Sequence, residues 1–159
     1  MATFVLVHGG WHGGWCWKRV TPHLQAAGHV VYAPTLTGLG ERSHLASPDI
    51  NLSTHIQDIL NVLIYEELTD VVLVGHSYSG MVIAGVADRV PERVTGLVYL
   101  DAFVPEDGQS LHDIFRPPYG EGVNLEALLV DGWCLPYPFL ERPFGITVEA
   151  DAQWVLDKI

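Results

Sequence analysis

Cysteine is nearly absent from the 159 residues, Cys16 and Cys134 being the only two. Two thiols so far apart define neither a disulfide framework nor a metal site, and free, mostly buried thiols are the expectation. Basic residues are scarce too. Eight lysines and arginines face 19 acids, a formal net charge of -11 that argues against nucleic acid or an anionic membrane as partner. No apolar run approaches the length of a membrane span, and Met1-Ala2-Thr3 leads straight into apolar residues without the basic start of a secretory leader. A soluble cytoplasmic chain is the expectation. No two histidines combine with a carboxylate at zinc-ligand spacing, so no metal is expected, and no cofactor either.

What is there is an ordinary globular composition. Apolar residues make up 48% and charged residues 17% of the chain, enough to build one substantial core and too apolar for disorder. Thr3-Phe4-Val5-Leu6-Val7 reads as a short buried strand. Trp15, Val20, Leu24 and Ala27 follow at helical spacing up to Gly28, with Pro22 predicting a kink or a late start. A second strand runs over His29–Pro34, and a polar loop from Thr35 to Asn51 turns around Gly38-Leu39-Gly40. Thr54-x-x-Gln57 reads as a capping box opening a helix with Ile56, Ile59, Leu60, Leu63 and Ile64 on one face. Val71–Val74 and Val94–Leu100 read as further strands, with a helix from Met81 to about Arg89 between them.

Strands alternating with helices predict an α/β fold with a mostly parallel sheet and flanking helices. After Asp101 that rhythm stops. Residues 105–159 are acidic and rich in proline and aromatics, with short helices expected near Asn124–Val130 and Val148–Asp157. We therefore expect a core over 1–104 and a cap segment over 105–159. The cap aromatics can close the cap onto the sheet or line a pocket; Trp133, between Gly132 and Cys134, is the expected pocket wall.

Two corners carry chemistry. Gly75-His76-Ser77-Tyr78-Ser79-Gly80 turns the chain from a strand into a helix and holds the Ser77 hydroxyl over a helix N-terminus, where negative charge is favoured. The G-x-S-x-G elbow departs here by one residue, with Ser79 in the second glycine position and glycine following. The other corner is His8-Gly9-Gly10-Trp11-His12-Gly13-Gly14-Trp15, where four glycines bring backbone amides close to something. Both corners leave the carboxyl ends of strands, where ligands of open parallel sheets bind. If the strands are neighbours, the Gly10 and Tyr78 amides reach one oxygen beside Ser77, an oxyanion hole for acyl transfer.

These two motifs, with Pro34-Thr35-Leu36-Thr37-Gly38-Leu39-Gly40 and Asp101-Ala102-Phe103-Val104-Pro105, make the chain resemble the α/β-hydrolases. The resemblance is to the branch of plant hydroxynitrile lyases, plant methylesterases and bacterial esterase relatives. It implies Ser77 as nucleophile, Gly10 and Tyr78 as oxyanion donors, and the Thr3 and Val71 strands side by side. It also implies an acid and a histidine after two further strands. Here the only histidine beyond Ser77 is His112, so the chain reads as an N-terminal portion whose missing strands come from another chain, a partner copy or residues outside it. Asp101 with His112 is the one local substitute by position. His8 and His12 are expected to order the loop, His76 to pack or bond locally, and His23, His29, His44 and His55 to lie at the surface or satisfied in the core.

Three functions stay open: a serine esterase acting on small apolar carboxylic esters, a hydroxynitrile lyase, and a ligand-binding or inactive fragment. The resemblance weighs against the lyase, since lyases of that branch tend to carry threonine where this chain has Gly9.

Overall fold

The computed structural model describes residues 1–115, 125–137 and 143–159. The chain divides into two compact units, Met1–Glu121 and Gly122–Ile159. The first contains a four-stranded sheet in the order β2-β1-β3-β4, built from β1 (Thr3–Val7), β2 (Val30–Tyr32), β3 (Val71–His76) and β4 (Val94–Leu100). Every pairing is parallel. The expected neighbours are therefore neighbours: Thr3 lies opposite Val71, and Val7 opposite Gly75.

Alternation along the two central strands sends side chains to both faces. Val5, Val7, Val71 and Leu73 pack on one face with α2 (Leu52–Tyr65) and α3 (Ser79–Arg89), through Ile56, Ile59, Leu60 and Leu63 of α2 and Val82, Ile83 and Val86 of α3. Leu6 and Val74 face the other way, against Trp17, Cys16 and Leu24. Those last three belong to a 3₁₀ segment, Gly14–Arg19, and to α1 (Thr21–Ala26). Pro22 sits in the first turn of α1, so the helix starts late, as proline's missing N–H dictates. It ends at Ala26, and Gly28, just past the capping Ala27, takes a φ of +84° that suits a glycine after a helix.

Several expectations need correcting. The capping box lies three residues earlier than the pattern suggests: Asn51 accepts from Ser53 N and Thr54 N, and Thr54 returns a bond to the Asn51 N–H. Ile64 is 46% exposed, while His55 joins the buried face of α2. The second strand is shorter than His29–Pro34. Cys134 is exposed and not buried. A short helix, α4 (Leu111–Phe115), has no counterpart in the sequence pattern.

In the second unit, the expected helix near Asn124–Val130 is a 3₁₀ segment over Leu125–Leu128, with Asn124 outside the described residues. The expected terminal helix is α5 (Glu149–Leu156). A single bridge joins Val130 to Cys134, and the Tyr137 hydroxyl accepts from the Phe144 N–H at 2.9 Å. No helix among the described residues is long and apolar enough to cross a membrane.

Candidate active site

The site grows from the carboxyl ends of β1 and β3. At the end of β3 the chain bends so sharply that Ser77 takes φ +53°, a left-handed conformation that costs a non-glycine residue of the order of 1 kcal/mol or more. The surrounding backbone holds it there. The Ser77 carbonyl accepts from Gly80 N and Phe103 N, each at 3.1 Å, and its N–H donates to Leu100 O at 3.4 Å. A β-carbon on Gly75 would stand 2.6 Å from the Ser79 carbonyl oxygen, and one on Gly80 would stand 2.0 Å from the Phe103 carbonyl oxygen. The departure at Ser79 is tolerated because the glycine that the close approach needs is the next residue.

The loop after β1 lies directly against this elbow. A β-carbon on Gly9 would be 3.1 Å from the Ser77 Cβ and 3.0 Å from His76 Nδ1, whereas around Gly10 the space is open. Neither the Gly10 N–H, the Tyr78 N–H nor the Ser77 hydroxyl has a hydrogen-bond partner among the described residues. Tyr78 stands at the N-cap of α3, so its amide shares the positive end of that helix.

Four histidines surround the corner, and three have defined bonds. The Leu36 N–H donates to His8 Nε2 at 3.0 Å, so the ring proton sits on Nδ1 and is donated to Gly9 O at 2.8 Å. His12 Nδ1 donates to Gly10 O at 2.8 Å. His55 Nε2 donates to Thr37 O at 3.0 Å, and its Nδ1 accepts from the Tyr78 hydroxyl at 2.9 Å. Burial pushes His8 down to about 4 from the usual 6.5, against the opposing pull of its bond to Gly9. Burial likewise lowers His12, His55 and His76, the last also feeling His12, while Asp101 pulls the other way. The rings are thus neutral near pH 7. His76 packs edge-on to His12, with ring centres 6.2 Å apart.

Ser77 and Tyr78 thus sit on the elbow that the Gly9–Gly10 loop abuts, and His8 and His12 order that loop as expected. The Asp101–His112 pair does not assemble. Asp101 follows β4 in a left-handed conformation at φ +44°, His112 lies on α4, and no hydrogen bond or ion pair joins them to each other or to Ser77. Trp133 belongs to the second unit, 41% exposed on the turn between Val130 and Cys134. Sequence reasoning missed the Ser79 hydroxyl, which donates to the His8 carbonyl in a fully buried position. Its signal was the motif departure itself. The tie from Tyr78 through His55 to Thr37 had no comparable signal. Among the described residues no cluster of potential metal ligands occurs.

A strained serine between strand and helix, beside a glycine loop from the neighbouring parallel strand, defines the class, and the chain belongs to the alpha/beta hydrolase family, whose model matches residues 4–157. It is 60% identical over 111 residues to the carbendazim hydrolyzing esterase of Nocardioides sp. (strain SG-4G), a match covering 70% of this chain and 46% of that protein. Salicylic acid-binding protein 2 of Nicotiana tabacum is 34% identical over 143 residues, 88% of this chain and 54% of that protein. Among solved structures, an extracellular alpha/beta-hydrolase from a Paenibacillus species superposes with a TM-score of 0.66 at 34% identity, covering 71% of this chain and 46% of that one. Polyneuridine aldehyde esterase does so with a TM-score of 0.64 at 31% identity, covering 73% and 46%. The chain spans about half the length of the curated relatives it matches. Those relatives include esterases and methylesterases of the hydrolase family.

Proposed function

We propose that this protein is a serine esterase that cleaves small apolar carboxylic esters through an acyl-enzyme on Ser77. One observation carries the reading: the Gly9–Gly10 loop abuts a strained Ser77 whose hydroxyl, like the Gly10 and Tyr78 amides, is unspent among the described residues. The Ser77 oxygen attacks the ester carbonyl carbon, and the negative charge that moves to the carbonyl oxygen is met by those two amides. The alcohol leaves with a proton, and water then releases the acid and restores the serine. Carbendazim, for which one relative is named, is the first compound to assay beside simple aryl esters.

The hydroxyl needs a base, and no described residue supplies one. We infer that the histidine, its acid and the strands that carry them come from another chain, a partner copy or residues outside these 159. The outer edge of β4 supports this, since it has no partner strand among the described residues and exposes Leu97, Val98 and Leu100. A monomeric, non-aggregating 159-residue species in sedimentation would contradict it.

Cyanohydrin cleavage is disfavoured, because Gly9 offers no hydroxyl and a β-carbon there would crowd Ser77. The test of the main reading is hydrolysis of p-nitrophenyl acetate by the complete protein and by its Ser77→Ala variant. Loss of turnover by about 1,000-fold or more is expected; undiminished turnover rules the reading out.

A further inference from the structure

Two glycines in succession give the loop before the serine wide conformational freedom, yet an oxyanion donor works only when it is aimed in advance. At Gly9 there is no side chain to supply the restraint, and a β-carbon there would stand 3.1 Å from the Ser77 Cβ and 3.0 Å from His76 Nδ1. The structure holds the loop by its carbonyls instead. The Ser79 hydroxyl donates to the His8 carbonyl, and the His8 imidazole donates to the Gly9 carbonyl at 2.8 Å. Both side chains are fully buried, with 0% exposure.

We propose that Ser79 and His8 act in series as positioning residues, fixing two successive peptide planes so that the Gly10 N–H is aimed at the oxygen beside Ser77. This rests on the reading of Ser77 as nucleophile and Gly10 as oxyanion donor. The geometry follows from the trans peptide, in which the carbonyl and N–H of one unit point in opposite directions. Gripping the Gly9 oxygen on the His8 side therefore turns the Gly10 N–H away from that ring. Gripping the His8 oxygen fixes the plane before it and ties the loop to the first turn of α3. Ser79 is thus the residue through which the elbow and the loop keep a constant relation. Glycine in its place would leave the buried His8 carbonyl without this donor. The Leu36 N–H on His8 Nε2 keeps the ring proton on Nδ1, where the clamp needs it.

The experiment compares the complete protein with Ser79→Gly, Ser79→Ala, His8→Phe and the Ser79→Ala/His8→Phe double variant. Substrate is p-nitrophenyl acetate, and phenylboronic acid mimics the tetrahedral intermediate. Each single variant is expected to lower kcat by about ten- to a hundredfold, with KM within about twofold, and to weaken boronic acid binding in proportion. Because the two act on one loop, the double variant should lose less than the product of the single losses. Unchanged kcat, or a kcat loss without weaker boronic acid binding, overturns the proposal.

A second measurement is independent of turnover: amide order parameters of ¹⁵N-labelled Gly9 and Gly10 by NMR. They should fall in Ser79→Gly and in His8→Phe, and unchanged values overturn the proposal whatever the activity. If the wild-type protein shows no Ser77-dependent hydrolysis while the two glycines still loosen in the variants, the esterase reading fails and the clamp stands.

Discussion

At the scale of the residue, close approach decides which positions can change. Gly80 and Gly10 make a controlled pair. An alanine at Gly80 would put its β-carbon 2.0 Å from the Phe103 carbonyl oxygen, whereas one at Gly10 meets nothing within 4 Å. Gly80→Ala should therefore cost about 2–4 kcal/mol of stability in urea denaturation and Gly10→Ala less than about 1. Equal losses would contradict the packing described for the elbow. The Tyr78 hydroxyl gives a second test. Tyr78→Phe leaves the buried Nδ1 of His55 without its donor, an expected cost of about 1–3 kcal/mol by the same measurement; a neutral effect would show that the tie bears no load. The elbow at Ser77 and the glycine loop beside it were legible in the sequence because the signals of both are local, written in glycines and one serine. The Ser79–His8 bond was not legible, since it joins positions 71 apart through a backbone atom that no pattern of side chains reveals.

At the scale of the element, α2 shows where pattern reading succeeds and where it slips. Its apolar period was plain, and four of its five expected positions, Ile56, Ile59, Leu60 and Leu63, are buried; burial of such side chains contributes about 1.5–3 kcal/mol each. The start was misplaced because Asn51 and Thr54 both suit a cap, and the sequence does not say which of them begins the helix. The structure settles it on Asn51, with Thr54 as its reciprocal partner. Asn51→Ala should accordingly lower stability by about 1 kcal/mol in denaturant melts, and Gln57→Ala by much less. The reverse order would move the cap back to Thr54. The fifth buried position, His55, escaped because a polar residue on an apolar face is visible as core only once its partners, Thr37 and Tyr78, are known.

At the scale of the whole molecule, a parallel sheet was legible from the alternation of strands and helices, and the adjacency of β1 and β3 from the family resemblance; the places of β2 and β4 in the order β2-β1-β3-β4 come from the structure. The same scale carries a pH dependence. His8 is held near 4, and burial also lowers His12, His55 and His76. A group whose folded pKa is depressed binds fewer protons when folded, so stability rises with pH through the window between the folded and unfolded values. For His8 that window runs from about 4 up to the usual 6.5, a contribution of about 3 kcal/mol that is complete above 6.5 and lost as pH falls. Urea denaturation should thus find the fold weaker at pH 5 than at pH 7, and His8→Asn should flatten the slope. A stability that rises on acidification over the same range would contradict the neutral state assigned to these rings.

The most direct measurement of the central claim is covalent trapping. The complete protein is incubated with a fluorophosphonate, digested, and mapped by mass spectrometry. The account predicts a single stoichiometric adduct on the peptide containing Ser77 and none in Ser77→Ala; an adduct on another residue, or labelling that persists in the variant, would contradict it.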